Sequence, residues 1–273
     1  MHTESDPLAI SLMSEADIPE GMLLVAEAGW NQTDADWRFM LANGRGFGLR
    51  DAGGRLVASC VLIPYSQRIG WIGMVLVNGA FRRRGYATHL LDNAMDACRA
   101  GGLTPMLDAT PAGREVYLRL GFRDGESIER WVGTGQGLTA APGCTIDIDM
   151  ATRLDAVALG VERRALLDDF ARRPGAPLRQ AENGVLLGRR GRVATQLGPL
   201  VAGDEPTALA LCADALDSHS SPMLIDVPVQ QHALGSLLRS RGFAVERRFT
   251  RMALGTVVEL GATMRAIAGP ELG

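Results

Sequence analysis

The residues best suited to chemistry lie close together between Phe81 and Thr88. Arg82-Arg83-Arg84-Gly85-Tyr86-Ala87-Thr88 follows an apolar, β-branched run, Met74-Val75-Leu76-Val77, which Asn78-Gly79 breaks. It leads into a segment over Tyr86 to Arg99 in which Leu90, Leu91, Ala94, Met95 and Cys98 recur at helical spacing. Strand, basic glycine turn, helix: that order points the first N–H groups of the helix, and the positive end of its dipole, at whatever sits above the strand end. Gly85 lets a ligand approach the backbone closely, and Ala87 keeps the second turn position small. Three arginines add fixed positive charge suited to phosphate. Together these residues predict a pyrophosphate cradle.

Composition narrows what such a cradle serves. The chain has 273 residues, 47% of them hydrophobic and 22% charged, which is room for two domains with real cores. A formal net charge of −3 makes the arginine cluster local. No general attraction to nucleic acid or anionic membrane is expected, and no aromatic residues interleave the arginines as nucleic-acid binding would favour. No apolar run reaches the ~18 residues of a membrane span, and the start, MHTESDPLAI, lacks a basic region followed by an apolar core. Cys60, Cys98, Cys144 and Cys212 are scattered, as are the four histidines, so neither a metal site nor a disulfide framework is expected. That cysteine usage fits a reducing cytoplasm. His89 either faces a ligand or sits as a partly exposed helix residue. The chain contains no lysine, which excludes a P-loop and a pyridoxal enzyme of the usual kind.

The spacing Arg82-x-x-Gly85-x-Ala87 resembles the acyl-CoA pyrophosphate loop of the GCN5-related N-acetyltransferases (GNAT), whose pattern is Arg/Gln-x-x-Gly-x-Gly/Ala. A second family-like stretch follows at Asp108–Phe122. The resemblance is strong over the first half of the chain and faint over the second. It implies an α/β GNAT fold: a mixed central sheet with helices on both faces, followed by a second, smaller GNAT-like domain. It implies acetyl-CoA as co-substrate, no metal, and acetyl transfer to a primary amine of a small molecule or peptide by direct attack in a ternary complex. On that basis the pantetheine lies beside the strand, contacting Val75 and Val77, and Arg82, Arg83, Arg84, Gly85, Tyr86, Ala87 and Thr88 hold the pyrophosphate.

Tyr117 stands five residues before Phe122, the offset at which the family places the tyrosine that protonates the departing thiolate. A phenol and a thiol have pKa values close enough for that transfer near neutral pH. The resemblance also puts Trp30 and Asn31 where family members shape the acceptor pocket, although a tryptophan there is more often a core residue than a ligand contact. The general base stays open among Asp108, Glu115, Asp226 and a water chain. A different class, a non-catalytic acyl-CoA-binding or interaction protein that kept the cradle, is the alternative. Nothing in the sequence names the acceptor amine, the acyl chain or the oligomeric state.

These residues need elements to hold them. The first half reads as a strand at Ile10–Leu12, helices over Ile18–Ala28 and from Thr33 or Asp34 to Leu41, and a hairpin of Gly46–Arg50 and Leu56–Ile63. The Ile69–Val77 strand, the Tyr86–Ala100 helix, a Thr104–Ala109 strand, a Gly113–Leu120 helix and a Ser127–Val132 strand follow. Gly133–Gly143 reads as a linker, dividing residues 1–137 from 144–273 with 138–143 between them. Beyond it a Thr145–Asp149 strand, a long helix over Arg153–Arg172, and a hairpin of Val185–Gly188 and Arg192–Leu197 are expected. A helix from Glu205 capped by Asp204, a Met223–Val227 strand, a His232–Arg241 helix and a last strand within Phe243–Leu254 complete the pattern, with a loosely structured remainder. From its hairpin onward this half repeats the order of the first. Its counterpart loop, Gly198–Gly203, has no arginine; Asp204 and Glu205 stand at the helix start, and Leu238 holds the offset that Tyr117 holds. One acyl-CoA per chain, in the first half, is therefore expected.

Overall fold

Local chemistry sets the ends of most elements in the computed structural model, which describes residues 8–139 and 144–273. Residues 140–143 of the expected linker lie outside the described residues. The chain packs as two compact units, divided between Pro105 and Met106. In the first, β1 (Ile10–Leu12), β2 (Arg45–Arg50), β3 (Leu56–Tyr65) and β4 (Ile69–Val77) form an antiparallel run in that order. Helix α1 (Ile18–Ala28) has Pro19 in its first turn and ends on Gly29 at φ +69°, a left-handed conformation that glycine adopts without strain. Helix α2 (Asp34–Asn43) opens on a capping box in which Asp36 accepts from the Thr33 backbone N–H at 2.7 Å. Helix α3 (Tyr86–Ala100) buries Leu90, Leu91, Ala94, Met95 and Cys98, the face its spacing predicts. Gly70 of β4 has no room for a side chain because Cys98 and Leu62 fill that space.

The chain enters the second unit within β5 (Thr104–Ala109). The remaining elements are α4 (Pro111–Arg119), β6 (Arg123–Thr134), α5 (Ile148–Leu159), α6 (Arg164–Arg172), β7 (Arg179–Ala181), β8 (Gly184–Arg190), β9 (Thr195–Ala202), α7 (Glu205–Asp217), β10 (Pro222–Pro228), α8 (His232–Ser240), β11 (Ala244–Ala253) and β12 (Met264–Ala266). The strand order here is β5-β11-β6-β10-β9-β8-β7, with β12 paired to β9. Only the β9–β10 pairing is parallel among those described for this unit.

That order contains an exchange of strands. β11, from the second repeat, lies between β5 and β6 of the first, and β6 lies between β11 and β10. Each exchange is keyed by a buried ion pair between directly opposed residues. Arg251 of β11 donates to both Asp108 oxygens of β5 at 2.9 Å, and Arg130 of β6 donates to both Asp226 oxygens of β10 at 2.8 Å. Arg130 follows Phe122 by the same interval at which Arg251 follows Phe243, so the keys repeat with the fold. A division by repeats places a boundary in the linker. A division by packing falls near β5, because β6 is bonded to two strands of the second repeat.

Four local expectations differ from the structure. Instead of a strand at Thr145–Asp149, Asp147 caps α5, accepting from the Met150 N–H at 3.0 Å. The long helix over Arg153–Arg172 is two helices, separated where Gly160 turns left-handed at φ +77°. The second hairpin strand runs from Thr195 to Ala202, so the expected Gly198–Gly203 loop is strand up to Ala202, and a short β7 precedes the hairpin. The remainder after Leu254 is not loose: β12 pairs with β9, and Met264, Ala266, Ile267, Ala268 and Leu272 are fully buried. The two helices and β7 extend the repeat back to the start of the second half, matching α1, α2 and β2.

Candidate functional site

The candidate cradle lies within the first unit, from the end of β4 to the first turn of α3. β4 carries a bulge: Ser59 opposes Leu76 and Val61 opposes Gly73, so Met74 and Val75 face Cys60 alone. Met74 takes the bulge strain at φ +52°, and the buried Ser59 hydroxyl donates to its carbonyl at 2.9 Å. Val75 and Val77 are left half-buried while Met74 and Leu76 turn into the core. The next residue, Asn78, accepts from the Ala80 N–H at 3.1 Å and donates to Glu27 at 2.7 Å. Glu27 also accepts from the Gly79 N–H at 2.6 Å, tying the last turn of α1 to the cradle entrance.

Arg82, Arg83 and Arg84 are exposed. Arg82 Nε donates to the Val77 carbonyl at 3.1 Å, with its guanidinium 3.7 Å from Glu27. Arg84 donates to the Ala80 carbonyl at 3.1 Å and lies 5.2 Å over the Phe81 ring. Gly85 is the N-cap of α3 at φ +80°, and a Cβ there would project into open space, with no atom within 4 Å. His89 supplies the first N–H bonded back to the Gly85 carbonyl, at 2.9 Å. The N–H groups of Tyr86, Ala87 and Thr88 therefore belong to the turn that a helix leaves without internal partners. Tyr86 buries its ring, so it faces this space with its backbone; Ala87, Thr88 and His89 are half-buried.

Trp30 and Asn31 follow α1 three and four residues after Glu27. Asn31 is buried and Trp30 half-buried. Beside them the Gln32 side-chain oxygen is buried with no hydrogen-bond partner among the described residues.

Tyr117 belongs to the second unit, on α4. Thr110 caps that helix, accepting from the Gly113 N–H at 3.2 Å. A Cβ on Gly113 would come within 3.0 Å of the Tyr117 ring, so glycine leaves the phenol its place. The ring is half-buried and 5.8 Å from that of Phe122, whose N–H donates to the Tyr117 carbonyl at 3.0 Å.

The candidate bases separate by their surroundings. Asp108 and Asp226 are committed to Arg251 and Arg130, and Gln196 donates to Asp226 as well, at 2.9 Å. Burial pushes the Asp108 carboxyl up against the opposing pull of Arg251. Glu115 is exposed beside Arg114. A further carboxylate to set beside these is Glu126. This half-buried residue lines a cleft of about 670 Å³ with Asp124, Ser127, His232 and Glu259. Burial raises its carboxyl, opposed by the Leu260 N–H that donates to it at 3.1 Å. Arg114 of α4 pairs with Asp124 at the rim, Nε to Oδ1 at 2.9 Å, tying the helix of Tyr117 to this cleft. A β-strand glutamate gave no motif to find it by.

Among the described residues no group of histidine, cysteine, aspartate and glutamate is arranged to hold a metal ion, and no helix is long and apolar enough to cross a membrane.

Comparisons with known proteins bear on both halves. A family model described as "Acetyltransferase (GNAT) family" matches residues 15–122, and one described as "Acetyltransferase (GNAT) domain" matches 151–261. No curated protein matches the chain. Among solved structures, a candidate acetyltransferase from Pyrococcus horikoshii is similar over 98% of this chain and 97% of its own, with TM-score 0.84 and 21% identity. A GCN5-related N-acetyltransferase from Sphaerobacter thermophilus is similar over 91% and 96%, with TM-score 0.64 and 16% identity. A tandem GNAT protein from the clavulanic acid biosynthesis pathway is similar over 92% and 99%, again with TM-score 0.64 and 16% identity. At these identities the likeness is one of fold.

Proposed function

Because the chain belongs to the GCN5-related N-acetyltransferase superfamily, with two such domains in tandem, we propose that it is an acetyl-CoA-dependent N-acetyltransferase acting on a primary amine of a small molecule or peptide. The observation that carries this reading is the cradle. Open space above Gly85, the first-turn N–H groups of α3 and three exposed arginines suit a pyrophosphate, so the residues present fit the co-substrate. When bound, acetyl-CoA supplies an activated thioester acyl group. Val75 and Val77 would flank its pantetheine, and Arg82 through Thr88 its pyrophosphate. A strand N–H at the half-buried edge of β4 would polarise the acyl carbonyl.

Tyr117 would hold the proton that the departing thiolate takes up. Glu126 is the carboxylate best suited to accept one from the amine, being raised and open to a cleft, where Asp108 and Asp226 are already paired. Trp30 and Asn31 would shape the acceptor side of the first domain. The reading places the protein in the cytoplasm.

The test is direct binding. Replacing Arg82 and Arg84 by alanine should weaken acetyl-CoA affinity at least about tenfold, near 1.4 kcal/mol, as expected for one charge-assisted contact. Unchanged affinity by calorimetry would remove the cradle assignment. Screening an amine panel with acetyl-CoA and measuring released thiol identifies the acceptor. Binding without release for every amine would favour the non-catalytic alternative.

A further inference from the structure

In the second half a short strand lies against the strand that corresponds to β4, whose half-buried edge is proposed above to flank the pantetheine. β9 stands in the second repeat where β4 stands in the first, as the hairpin strand that runs toward a helix. The two strands also share a bulge. Leu186 opposes Leu200 and Gly188 opposes Leu197, so Gly198 and Pro199 face one residue, as Met74 and Val75 do in β4. Pro199 therefore holds the place of Val75, Leu200 that of Leu76 and Val201 that of Val77. In the first half Val75 and Val77 remain half-buried; in the second Leu200, Val201 and Ala202 are fully buried.

The covering element is β12. β9 pairs in parallel with β10 only from Thr195 to Leu197, and beyond that point its register passes to Met264 and Ala266. The Ala202 N–H donates to the Thr263 carbonyl, and the Ile267 N–H donates to the Asp226 carbonyl of β10, both at 3.0 Å. The segment is thus bonded to both strands of the cleft. Side chains anchor it as well. Gln231 donates to the Met264 carbonyl at 3.0 Å, and Arg189 forms a fully buried ion pair with Glu271. Gly198, at φ +130°, is fitted to it, because a Cβ there would overlap the Ile267 carbonyl. Pro199, with no N–H, could not donate to a ligand in Val75's place.

We infer that Met264–Ala268 is a built-in strand that permanently fills the second half's interstrand cleft and closes it to acyl-CoA, an inference that rests on the cofactor reading above for the ligand it excludes. The second half then keeps the fold and serves as scaffold.

Amide hydrogen exchange on the full chain, free and with saturating acetyl-CoA, tests this alongside native mass spectrometry. In the free chain the Ala202 and Ile267 amides should exchange as slowly as those of Leu224 and Ile225. Acetyl-CoA should protect the Tyr86–Thr88 turn, leave Ala202 and Ile267 unchanged, and bind once per chain. Fast exchange at Ile267 in the free chain, its acceleration by acetyl-CoA, or two molecules bound per chain would overturn the inference. Slow Ile267 exchange in a chain that binds no acetyl-CoA would instead overturn the cofactor reading and support the occupancy. Gly198→Ala should accelerate Ile267 exchange about tenfold or more, since the methyl displaces its carbonyl. An unchanged rate there would show that the segment is not seated against β9.

Discussion

At Gly85 a Cβ would project into the open space proposed for the pyrophosphate, so the proposed site draws on a glycine there as well as on the three arginines before it. Tyr117 is served in the same way by Gly113, which leaves room for its ring. Tyr117→Phe keeps the ring and its packing against Phe122 while removing the proton. It should retain acetyl-CoA affinity and lose ~10²–10⁴-fold in kcat, roughly 3–5 kcal/mol of barrier. A wild-type kcat at saturation would reduce Tyr117 to a packing residue. Glu126 predicts the acid limb of the rate profile. Since burial raises its carboxyl, the base form is lost on acidification at a pH above that of an ordinary glutamate. Glu126→Gln should abolish that limb and lower kcat; an unchanged limb would assign it to another group. Thiol reagents give a further check. Cys60, Cys98 and Cys212 are buried, with the Cys98 and Cys212 thiols pushed up to about 12 by desolvation, whereas Cys144 is half-exposed. Cys144 alone should react rapidly in the folded chain, and all four cysteines in urea.

The strands of the second unit are keyed by charges that the fold has made depend on each other. Asp108 is neutralised by an arginine of the second repeat, and Asp226 by an arginine of the first. Removing one partner leaves a buried charge, so Arg251→Met should cost about 3–5 kcal/mol in urea unfolding. The companion Asp108→Asn should restore part of that loss. The sign with pH follows. In Arg251→Met the unpaired carboxyl titrates above its unfolded value, so the variant is most stable below that value and weakens as pH rises through the folded one. A midpoint equal to wild type at neutral pH would mean that water reaches Asp108 and the key is dispensable. At the helix scale, Asp204 accepts from the Thr207 N–H at 2.8 Å, and this bond holds its carboxyl below the ordinary range. Its contribution is present above the unfolded pKa and lost as pH falls through the folded one. The same acidic cap argues against pyrophosphate at α7.

For the whole molecule, the strand exchange predicts that the first repeat does not stand alone. Residues 1–137 contain β5 and β6 but not β11, which separates them, nor β10, which covers the other edge of β6. Such a fragment would expose long unpaired edges and strand Asp108 and Arg130 without their partners. It should aggregate or associate rather than give a cooperative monomer in size-exclusion and thermal unfolding. A well-dispersed, cooperatively unfolding fragment would show that β6 can close on β5 unaided, with Arg130 serving Asp108.

The strand–turn–helix of the candidate cradle, the amphipathic α3, the Asp204 cap and the repeated order of elements were legible in the residues, because each depends on neighbours within a few positions. Helix faces follow a period, and caps and glycine turns act on the next three or four N–H groups. The exchange was not legible, although Arg130 and Arg251 stand at matching places after Phe122 and Phe243. Arg251 and Asp108 are 143 positions apart, and nothing local distinguishes an arginine on a buried strand from one on a solvated edge. The linker glycines mark where one repeat ends, but strand pairing follows hydrogen-bond partners rather than chain order. Met264–Ala266 was hidden for a related reason. Met264-Arg265-Ala266 alternates over only three residues, too short a run to mark a strand, and the segment becomes one because β9 and β10 stop pairing after Leu197 and Ile225 and leave N–H and carbonyl groups that burial requires to be paired.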